Sequence, residues 1–324
     1  MCTAVSYRTR NHYFGRNLDL EYSYQEAVTI TPRNYPFRFH NAAVLDSHYA
    51  MIGMATVTDG YPLYYEATNE NGLSMAGLNF PEMAVYLPEK PGMDNITPYE
   101  FIPWILGQCS TVPEARGLLQ RLNLLDIPFS DALPLSPLHW IISDREQSIT
   151  VEPLAEGLRV FDNPIGVLTN NPPFEFHLYN LRNYLNVSID PAVNRFSEHF
   201  DICPYSNGMG GIGLPGDYSS SSRFVKAAFI KLNSISGEDE EESVGQYFRI
   251  LSSVAMPRGC VRLNKENFEI TVYSCCCNTD KGIYYYTTYN HSRIIGVDMH
   301  REDLNGSSPV SYPLLKNQFI EIQN

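Results

Sequence analysis

Cys2 is the residue of this chain whose position gives it the most distinctive chemistry. It lies in the opening Met1-Cys2-Thr3-Ala4, and an initiator methionine that precedes a small residue is ordinarily removed. We therefore expect a mature chain that begins with a cysteine carrying both a thiol and a free α-amine. Because an unperturbed α-amine titrates near ~8 and a thiol near ~8.5, the amine can accept the thiol proton around neutral pH. Cys2 is thus a candidate nucleophile that carries its own base.

Arg16 and Asp19 are the charged residues nearest to Cys2 that lie between apolar neighbours, in Phe14-Gly15-Arg16-Asn17-Leu18-Asp19. On a regular strand residues three apart face opposite sides, so we expect either one of them at the surface or a bulge that turns both inward. Beside Cys2, Arg16 would favour the thiolate form and Asp19 would hold the α-amine.

Asn79, Asn170 and Arg223 are the remaining polar candidates. Asn79 and Asn170 each follow an apolar run of strand length, where an asparagine usually forms a turn. Acyl transfer, however, needs uncharged donors aimed at a developing oxyanion, and an asparagine amide supplies one. Arg223 follows Ser219-Ser220-Ser221-Ser222 at the start of a predicted helix, where the helix dipole disfavours a cation. This position indicates a salt bridge or an active-site role.

Metal and nucleotide sites are not predicted. The chain has seven cysteines but no C-x-x-C pair and no histidine at ligand spacing, so Cys275 to Cys277 are interpreted as strand residues. The glycines of Gly208-Met209-Gly210-Gly211-Ile212-Gly213 match a dinucleotide motif by letters, but Leu214-Pro215-Gly216-Asp217 follows and delays any helix. We expect these glycines to form a tight loop that approaches another element closely.

Composition predicts a globular protein rather than a disordered or membrane-spanning one. Hydrophobic residues make up 44% and charged residues 18%, and no apolar run reaches the ~20 residues of a membrane span. A net charge of -13 argues against nucleic acid or an anionic membrane as partner. The absence of a signal-peptide pattern and the odd number of cysteines predict a cytoplasmic, reducing location.

Blocks of predicted strands alternate with blocks of predicted helices, without a steady strand-helix-strand repeat. This pattern predicts an α+β fold with largely antiparallel sheets, and no linker divides residues 1-324 into separate domains. Asn71-Gly72 predicts a hairpin, and the capping box Thr97-Pro98-Tyr99-Glu100 predicts a helix from Pro98 to about Gln108. The other predicted helices are 113–122, 174–185, 222–232 and 243–254.

Several of these segments, in this order, resemble the choloylglycine hydrolase family, whose members are bile salt hydrolases and penicillin V acylases. The resemblance spans essentially the whole chain. The matching segments are Met1-Cys2-Thr3-Ala4, Phe14-Gly15-Arg16-Asn17-Leu18-Asp19, Ala76-Gly77-Leu78-Asn79-Phe80, Gly166-Val167-Leu168-Thr169-Asn170-Asn171-Pro172, and Gly213-Leu214-Pro215-Gly216-Asp217 followed by Ser222-Arg223-Phe224.

The resemblance implies a single N-terminal nucleophile hydrolase domain, a four-layer αββα sandwich, and a homotetramer without a cofactor. It implies that Cys2 is the nucleophile and its own amine the base. It also implies that Arg16 and Asp19 lie against Cys2, that Asn79 and Asn170 serve the oxyanion, and that Arg223 completes the polar cluster. The positions that resemble steroid-contacting residues of the family are Leu18, Tyr24, Tyr65, Phe129 and Leu133.

Asn79 favours one activity within the family, because bile salt hydrolases resemble this sequence there while penicillin V acylases tend to carry tyrosine. The expected reaction is hydrolysis of the amide that joins a steroid acid to glycine or taurine, through a thioester acyl-enzyme. Penicillin V or another N-acyl amide is the alternative substrate. A third hypothesis is a non-catalytic steroid- or lipid-binding protein in which Met1 stays in place and blocks Cys2.

Overall fold

The structure, a computed structural model, describes residues 1–324. Its strands in chain order are β1 Cys2–Arg8, β2 His12–Leu20, β3 Ala27–Thr31, β4 Met51–Thr58, β5 Tyr61–Asn69, β6 Ser74–Asn79, β7 Asp94–Ile96, β8 Leu122–Leu124, β9 Leu138–Ser143, β10 Ser148–Leu154, β11 Gly157–Asp162, β12 Val167–Leu168, β13 Ile270–Asn278, β14 Ile283–Thr288, β15 His291–Asp298 and β16 Val310–Pro313. Its α-helices are α1 Phe101–Leu106, α2 Val112–Leu119, α3 Phe174–Asn180, α4 Ser220–Asn233 and α5 Glu240–Ser252.

Two antiparallel sheets form the centre of the molecule. The first sheet has the strand order β12-β1-β2-β13-β14-β15, and the second has the order β11-β10-β9-β6-β5-β4-β3-β16. The strands β7 and β8 form a separate parallel pair. The helices α4 and α5 lie on the first sheet and α1 lies on the second. This architecture confirms the predicted α+β, four-layer αββα sandwich.

Two hydrophobic cores hold the layers together. The larger core contains Phe14 of the first sheet, Ile52 and Leu78 of the second sheet, and Phe224 and Tyr247 of the helices over the first sheet. It therefore fills both the space between the sheets and the space beneath α4 and α5. The smaller core joins the outer face of the second sheet to α1 and α2. Because both faces of each sheet are covered, polar side chains on these strands are buried, and each of them needs a hydrogen-bond partner.

The predicted helix at Pro98 is shorter than expected. Glu100 accepts a hydrogen bond from the Thr97 amide at 2.9 Å, as a capping box requires. The Thr97 hydroxyl, however, is buried without a partner, and the regular helix begins only at Phe101. The reciprocal half of the box is missing, so residues before Phe101 form a turn instead.

The other local predictions are largely confirmed. Cys275 to Cys277 lie in β13, and Asn71-Gly72 joins β5 to β6 with Gly72 at a φ of +88°. Gly210 approaches another segment closely, since a Cβ there would lie 2.1 Å from the Asp190 carbonyl oxygen. The predicted helix 174–185 continues beyond Asn180 only as a 3-10 turn, and β7, β8 and β16 were not predicted. No helix of the structure combines the length and the apolar character that crossing a bilayer would require.

Candidate active site

Cys2 begins β1 and lies in the layer between the two sheets. It is only 2% exposed, and it pairs directly with Leu18 of β2. Paired residues of an antiparallel ladder point to the same face, so Leu18 and Arg16 of β2 share the inner face with Cys2. A neighbouring strand thus places one charged and one apolar side chain beside the thiol.

Arg16 crosses from the first sheet to the second. Its Nη1 donates to the Gly77 carbonyl at 2.5 Å and to the Tyr65 carbonyl at 3.3 Å. Burial disfavours the guanidinium charge, but nearby acidic groups, with Cys2 the strongest, outweigh burial and raise the pKa of Arg16. A permanently charged guanidinium beside the sulfur is the arrangement that stabilises a thiolate.

Asp19 lies on the opposite face of β2, under the helices. Its Oδ1 accepts from the Thr271 hydroxyl at 2.6 Å, and Arg223 Nη1 lies 4.0 Å from its Oδ2. Burial raises the pKa of Asp19, and the charge of Arg223 opposes this rise. Oδ2 has no hydrogen-bond partner, so one carboxylate oxygen remains able to accept a further donor.

The expectation that either Arg16 or Asp19 is exposed, or that a bulge turns both inward, is wrong. Arg16 contacts the second sheet and Asp19 lies under the helices, yet they are 1% and 0% exposed. The pairing of β2 with β13 shifts register between Thr271 and Tyr273, which lie opposite Asp19 and Leu18. Helices cover one face of the first sheet and the second sheet covers the other, so both faces are buried. The start of β1 lies between these two buried layers.

The backbone of Cys2 is held by Asn170 and Arg223. The Cys2 nitrogen donates to Asn170 Oδ1 at 2.8 Å, and Arg223 Nη2 donates to the same oxygen at 2.7 Å. Arg223 Nη1 also donates to the Cys2 carbonyl at 2.5 Å. Arg223 and Asn170 therefore fix the position of the nitrogen that would become the α-amine.

Asn79 and Asn170 lie next to one another, because Asn170 Nδ2 donates to the Asn79 carbonyl at 2.6 Å. One of the two hydrogens on that amide nitrogen is used in this bond, and the other is not used by a hydrogen bond within the protein. The Asn79 side chain is half-buried at the end of β6, and its side-chain amide takes part in none of the protein's hydrogen bonds. Asn170 thus contacts Cys2 directly, and Asn79 is linked to it through its backbone carbonyl.

Met1 is present and covers the Cys2 nitrogen. Its α-amine contacts the Glu269 carboxylate and donates to the Asp19 carbonyl at 2.7 Å. Burial lowers the pKa of this amine. While Met1 remains, the Cys2 nitrogen is an amide and serves only as a donor to Asn170. Loss of Met1 would convert it into an amine within the same polar cluster.

Tyr24 and Tyr65 are connected near the site through Thr56. The Thr56 hydroxyl lies 3.0 Å from the Tyr65 hydroxyl and donates to the Tyr24 carbonyl at 3.3 Å. The Tyr65 carbonyl in turn accepts from Arg16. Of the predicted steroid-contacting residues, Leu18 lies beside Cys2 and Tyr65 lies beside Arg16. Tyr24 lies one contact further from the site.

Phe129 and Leu133 lie on the segment between β8 and β9. The Phe129 ring packs against Tyr99 and Tyr61, with ring centroids 5.2 and 5.9 Å apart. The Leu133 amide donates to the Ser130 carbonyl at 3.1 Å within a local turn. Their contacts are with this segment and its aromatic neighbours rather than with the polar cluster.

Sequence reasoning missed three residues that support the cluster. Thr271 holds Asp19, Ser220 accepts from the Asn170 amide at 2.8 Å, and His177 donates from Nε2 to the Asn170 carbonyl at 2.9 Å. Ser220 is the first residue of α4 and belongs to the serine run that signals the start of this helix, whereas Thr271 and His177 had no such signal. No group of histidine, cysteine and acidic side chains is arranged to hold a metal ion.

His177 is expected to make stability fall with acidification. Burial lowers the pKa of His177 from 6.5 to about 4, so the neutral form is favoured in the folded state. The contribution of neutral His177 to the free energy of unfolding is therefore complete above pH 6.5. It is lost as pH falls toward 4, at roughly 1 kcal/mol per pH unit. Urea unfolding at several pH values should show a shallower acid slope for His177→Gln. Exposed His40→Gln is the control, and an unchanged slope in His177→Gln would contradict the expectation.

Comparison with known proteins places this geometry in a family. The model for linear amide C-N hydrolases of the choloylglycine hydrolase family matches residues 2–312. A bile salt hydrolase/transferase of Lactiplantibacillus plantarum is 52% identical over 314 residues, with 97% of both chains covered. A bile salt hydrolase/transferase of Clostridium perfringens is 39% identical over 329 residues, with 100% of both chains covered.

Solved structures agree with these relatives. A mutant of the conjugated bile acid hydrolase from Clostridium perfringens matches with a TM-score of 0.92 at 38% identity, over 100% of both chains. Penicillin V acylase from Agrobacterium tumefaciens matches with a TM-score of 0.76 at 17% identity, over 99% of this chain and 100% of that one, which shows the shared fold alone. The family model covers nearly the whole chain and the relatives match along their full length, so this protein belongs to the choloylglycine hydrolase family and hydrolyses linear amide C-N bonds.

Proposed function

We propose that this protein is a conjugated bile salt hydrolase, which cleaves the amide between a steroid acid and glycine or taurine. The observation that carries the chemistry is a buried Cys2 with Arg16 on one side and the Asp19–Arg223 pair on the other. The relatives that match at 52% and 39% identity are named for bile salts, which supports the substrate class.

The proposed reaction begins after removal of Met1. The Cys2 α-amine takes the thiol proton, and the thiolate, stabilised by Arg16, attacks the amide carbon. The oxyanion accepts hydrogen bonds from the Asn79 and Asn170 side-chain amides. The ammonium then protonates the leaving amine, which leaves a thioester on Cys2.

Water completes the cycle by attacking the thioester, and the same α-amine removes its proton. Asp19 Oδ2, which has no partner while Met1 is present, would accept from the new α-ammonium. Arg223 would keep the Cys2 carbonyl and Asp19 in place during both steps. The supporting geometry is the convergence of these groups on the first residue of β1.

The steroid is proposed to bind against Leu18, Tyr65 and Tyr24 beside the site and against Phe129 and Leu133 of the segment between β8 and β9. A rigid apolar ring system gains roughly 25 cal/mol for each Å² that it buries. The net charge of -13 repels an anionic substrate at long range, but salt screens this repulsion beyond about 8 Å. Apolar burial would therefore dominate affinity.

We propose that residues 1–324 form one domain and that the protein assembles as a homotetramer. The strands near the C-terminal end support a single domain, because β13 pairs with β2 and β16 pairs with β3. Both ends of the chain therefore contribute to the same two sheets. The segment between α3 and α4 supports a homotetramer, since it exposes large apolar side chains such as Phe196 and Tyr205. The free cysteines fit the reducing, cytoplasmic location that an active Cys2 thiol would need.

The test is release of glycine or taurine from glycocholate and taurocholate, measured beside hydrolysis of penicillin V with mature protein under reducing conditions. Faster release from the bile salts supports the proposed substrate class. Faster penicillin V cleavage would favour the acylase alternative. Steroid binding without any product would favour the non-catalytic alternative.

Asn79→Ala is expected to lower kcat for glycocholate by roughly 10²- to 10³-fold with little change in KM. The reason is that a donor to the oxyanion contributes mainly in the transition state. Steady-state kinetics of the two proteins measure this directly. Asn71→Ala, which removes an exposed asparagine from the β5–β6 turn, is the matched control. Equal kcat for Asn79→Ala and the unaltered protein would remove Asn79 from the oxyanion role.

Acyl transfer is a second candidate function, favoured by the relatives named hydrolase/transferase. A thioester on Cys2 can be opened by an amine as well as by water, with the α-amine taking the proton in both cases. Incubation with a bile salt and an excess of a second amino acid should then yield a new conjugate, detected by mass spectrometry. Formation of free bile acid alone would restrict the protein to hydrolysis.

A further inference from the structure

Glu66 is a buried carboxylate that a β-bulge directs toward the catalytic layer. The pairing between β4 and β5 shifts register between Met54 and Ala55, opposite Tyr65. Tyr64 packs in the core beneath α1, whereas Tyr65 packs against the core between the sheets and Glu66 bonds to the first sheet. Two consecutive side chains therefore face inward, which a regular strand does not allow.

Donors surround both oxygens of this carboxylate. Tyr284 and Cys275 donate to Oε1 at 2.6 and 3.5 Å, and Tyr273 donates to Oε2 at 2.8 Å. Arg16 Nε lies 3.9 Å from Oε2. Each of these groups can donate to a carboxylate, and the Arg16 guanidinium, which carries a positive charge and no acceptor, favours the ionised form. The surroundings therefore suit an ionised Glu66 that faces Arg16.

We propose that Glu66 is a positioning residue for the cysteine reaction, which holds the Arg16 guanidinium and offsets part of its charge, and so sets how strongly Arg16 attracts the Cys2 sulfur. This inference rests on the proposed role of Cys2 as nucleophile. Glu66 does not contact the substrate. It acts through Arg16, which is bound between Glu66 and the carbonyls of Gly77 and Tyr65.

The charges around the sulfur show why one carboxylate matters. Arg16 faces Cys2 from the inner layer, and the carboxylate within ion-pair distance of it is Glu66. On the outer layer, Asp19 faces Arg223. The α-amine lies between the two layers. Burial raises the pKa of Glu66, and Arg16 is the strongest group that opposes this rise. Each arginine thus faces one buried carboxylate. Neutralising Glu66 would leave the positive charge of Arg16 without its buried counter-charge.

The test measures the reactivity of the Cys2 thiol rather than turnover. Mature protein is alkylated with iodoacetamide across the pH range in which it stays folded, and mass spectrometry quantifies the modified N-terminal peptide. In Glu66→Gln, which keeps the size of the side chain but removes the charge and one acceptor oxygen, the midpoint of the pH–rate curve should move down by about one unit. The exposed Cys203 and Cys260 serve as internal controls whose curves stay unchanged.

Glu66→Asp distinguishes charge from packing. This variant keeps the charge but shortens the side chain, so its midpoint should stay near that of the unaltered protein. A Glu66→Gln curve without a shift, or a larger shift in Glu66→Asp, would overturn the proposal. Because the readout needs no substrate, it is independent of whether bile salts are cleaved.

If Glu66→Gln does not fold, a double variant tests the proposal instead. The double variant Arg16→Gln with Glu66→Gln removes both buried charges, and removal of both partners is tolerated better than removal of one. Recovery of folded double variant would support the pairing of Arg16 with Glu66. If the double variant fails to fold as well, the proposal is overturned.

Discussion

Mature Cys2→Ala is expected to lose glycocholate hydrolysis by roughly 10⁴-fold or more, because no other group replaces the attacking sulfur. The neighbours of Cys2 should stay in place, since Arg16 is held by Gly77 and Tyr65 and Arg223 is held through backbone atoms of Cys2. Binding of the bile salt should therefore persist while turnover disappears. Paired measurements of kcat and of equilibrium binding check both halves of this expectation.

The control is Cys203→Ala, which removes an exposed cysteine far along the chain and should leave kcat unchanged. A circular-dichroism spectrum that matches the unaltered protein would show that loss of turnover is not loss of fold. Normal hydrolysis by Cys2→Ala would exclude the thioester route and, with it, the proposed role of every group around the sulfur.

A chain that keeps Met1 is expected to be inactive, with kcat lowered by roughly 10²- to 10⁴-fold through loss of the general base. In this form the Cys2 nitrogen is an amide that donates to Asn170 Oδ1, so it cannot accept the thiol proton. Removal of Met1 creates the amine and also frees the Glu269 carboxylate from its contact with the Met1 amine.

A removable N-terminal tag makes this prediction testable. Cleavage that leaves Cys2 as the first residue should switch hydrolysis on, whereas cleavage that leaves Met1 in front of Cys2 should not. Intact-mass measurement verifies each N-terminus. Equal activity of the two products would mean that a base other than the α-amine serves Cys2.

Local features of the fold were predictable because neighbouring residues determine them. The β5–β6 hairpin follows from Asn71-Gly72, and the burial of Cys275 to Cys277 follows from an apolar strand. The helix after Thr97 was predicted too long, because its cap depends on a hydroxyl that remains without a partner in the folded protein. Hydrogen bonds between distant segments decide such details.

The order of residues along the chain is enough to identify the candidate nucleophile, the residue types expected around it and the α+β class. The stacking of the layers, by contrast, buries Arg16 and Asp19 on opposite faces of β2, and a bulge in the second sheet turns Glu66 toward Arg16. Asn170 and Arg223 meet Cys2 across 168 and 221 residues of chain. Motif order can suggest such contacts, but their distances and the burial of each charge depend on how sheets and helices stack, which no local pattern encodes.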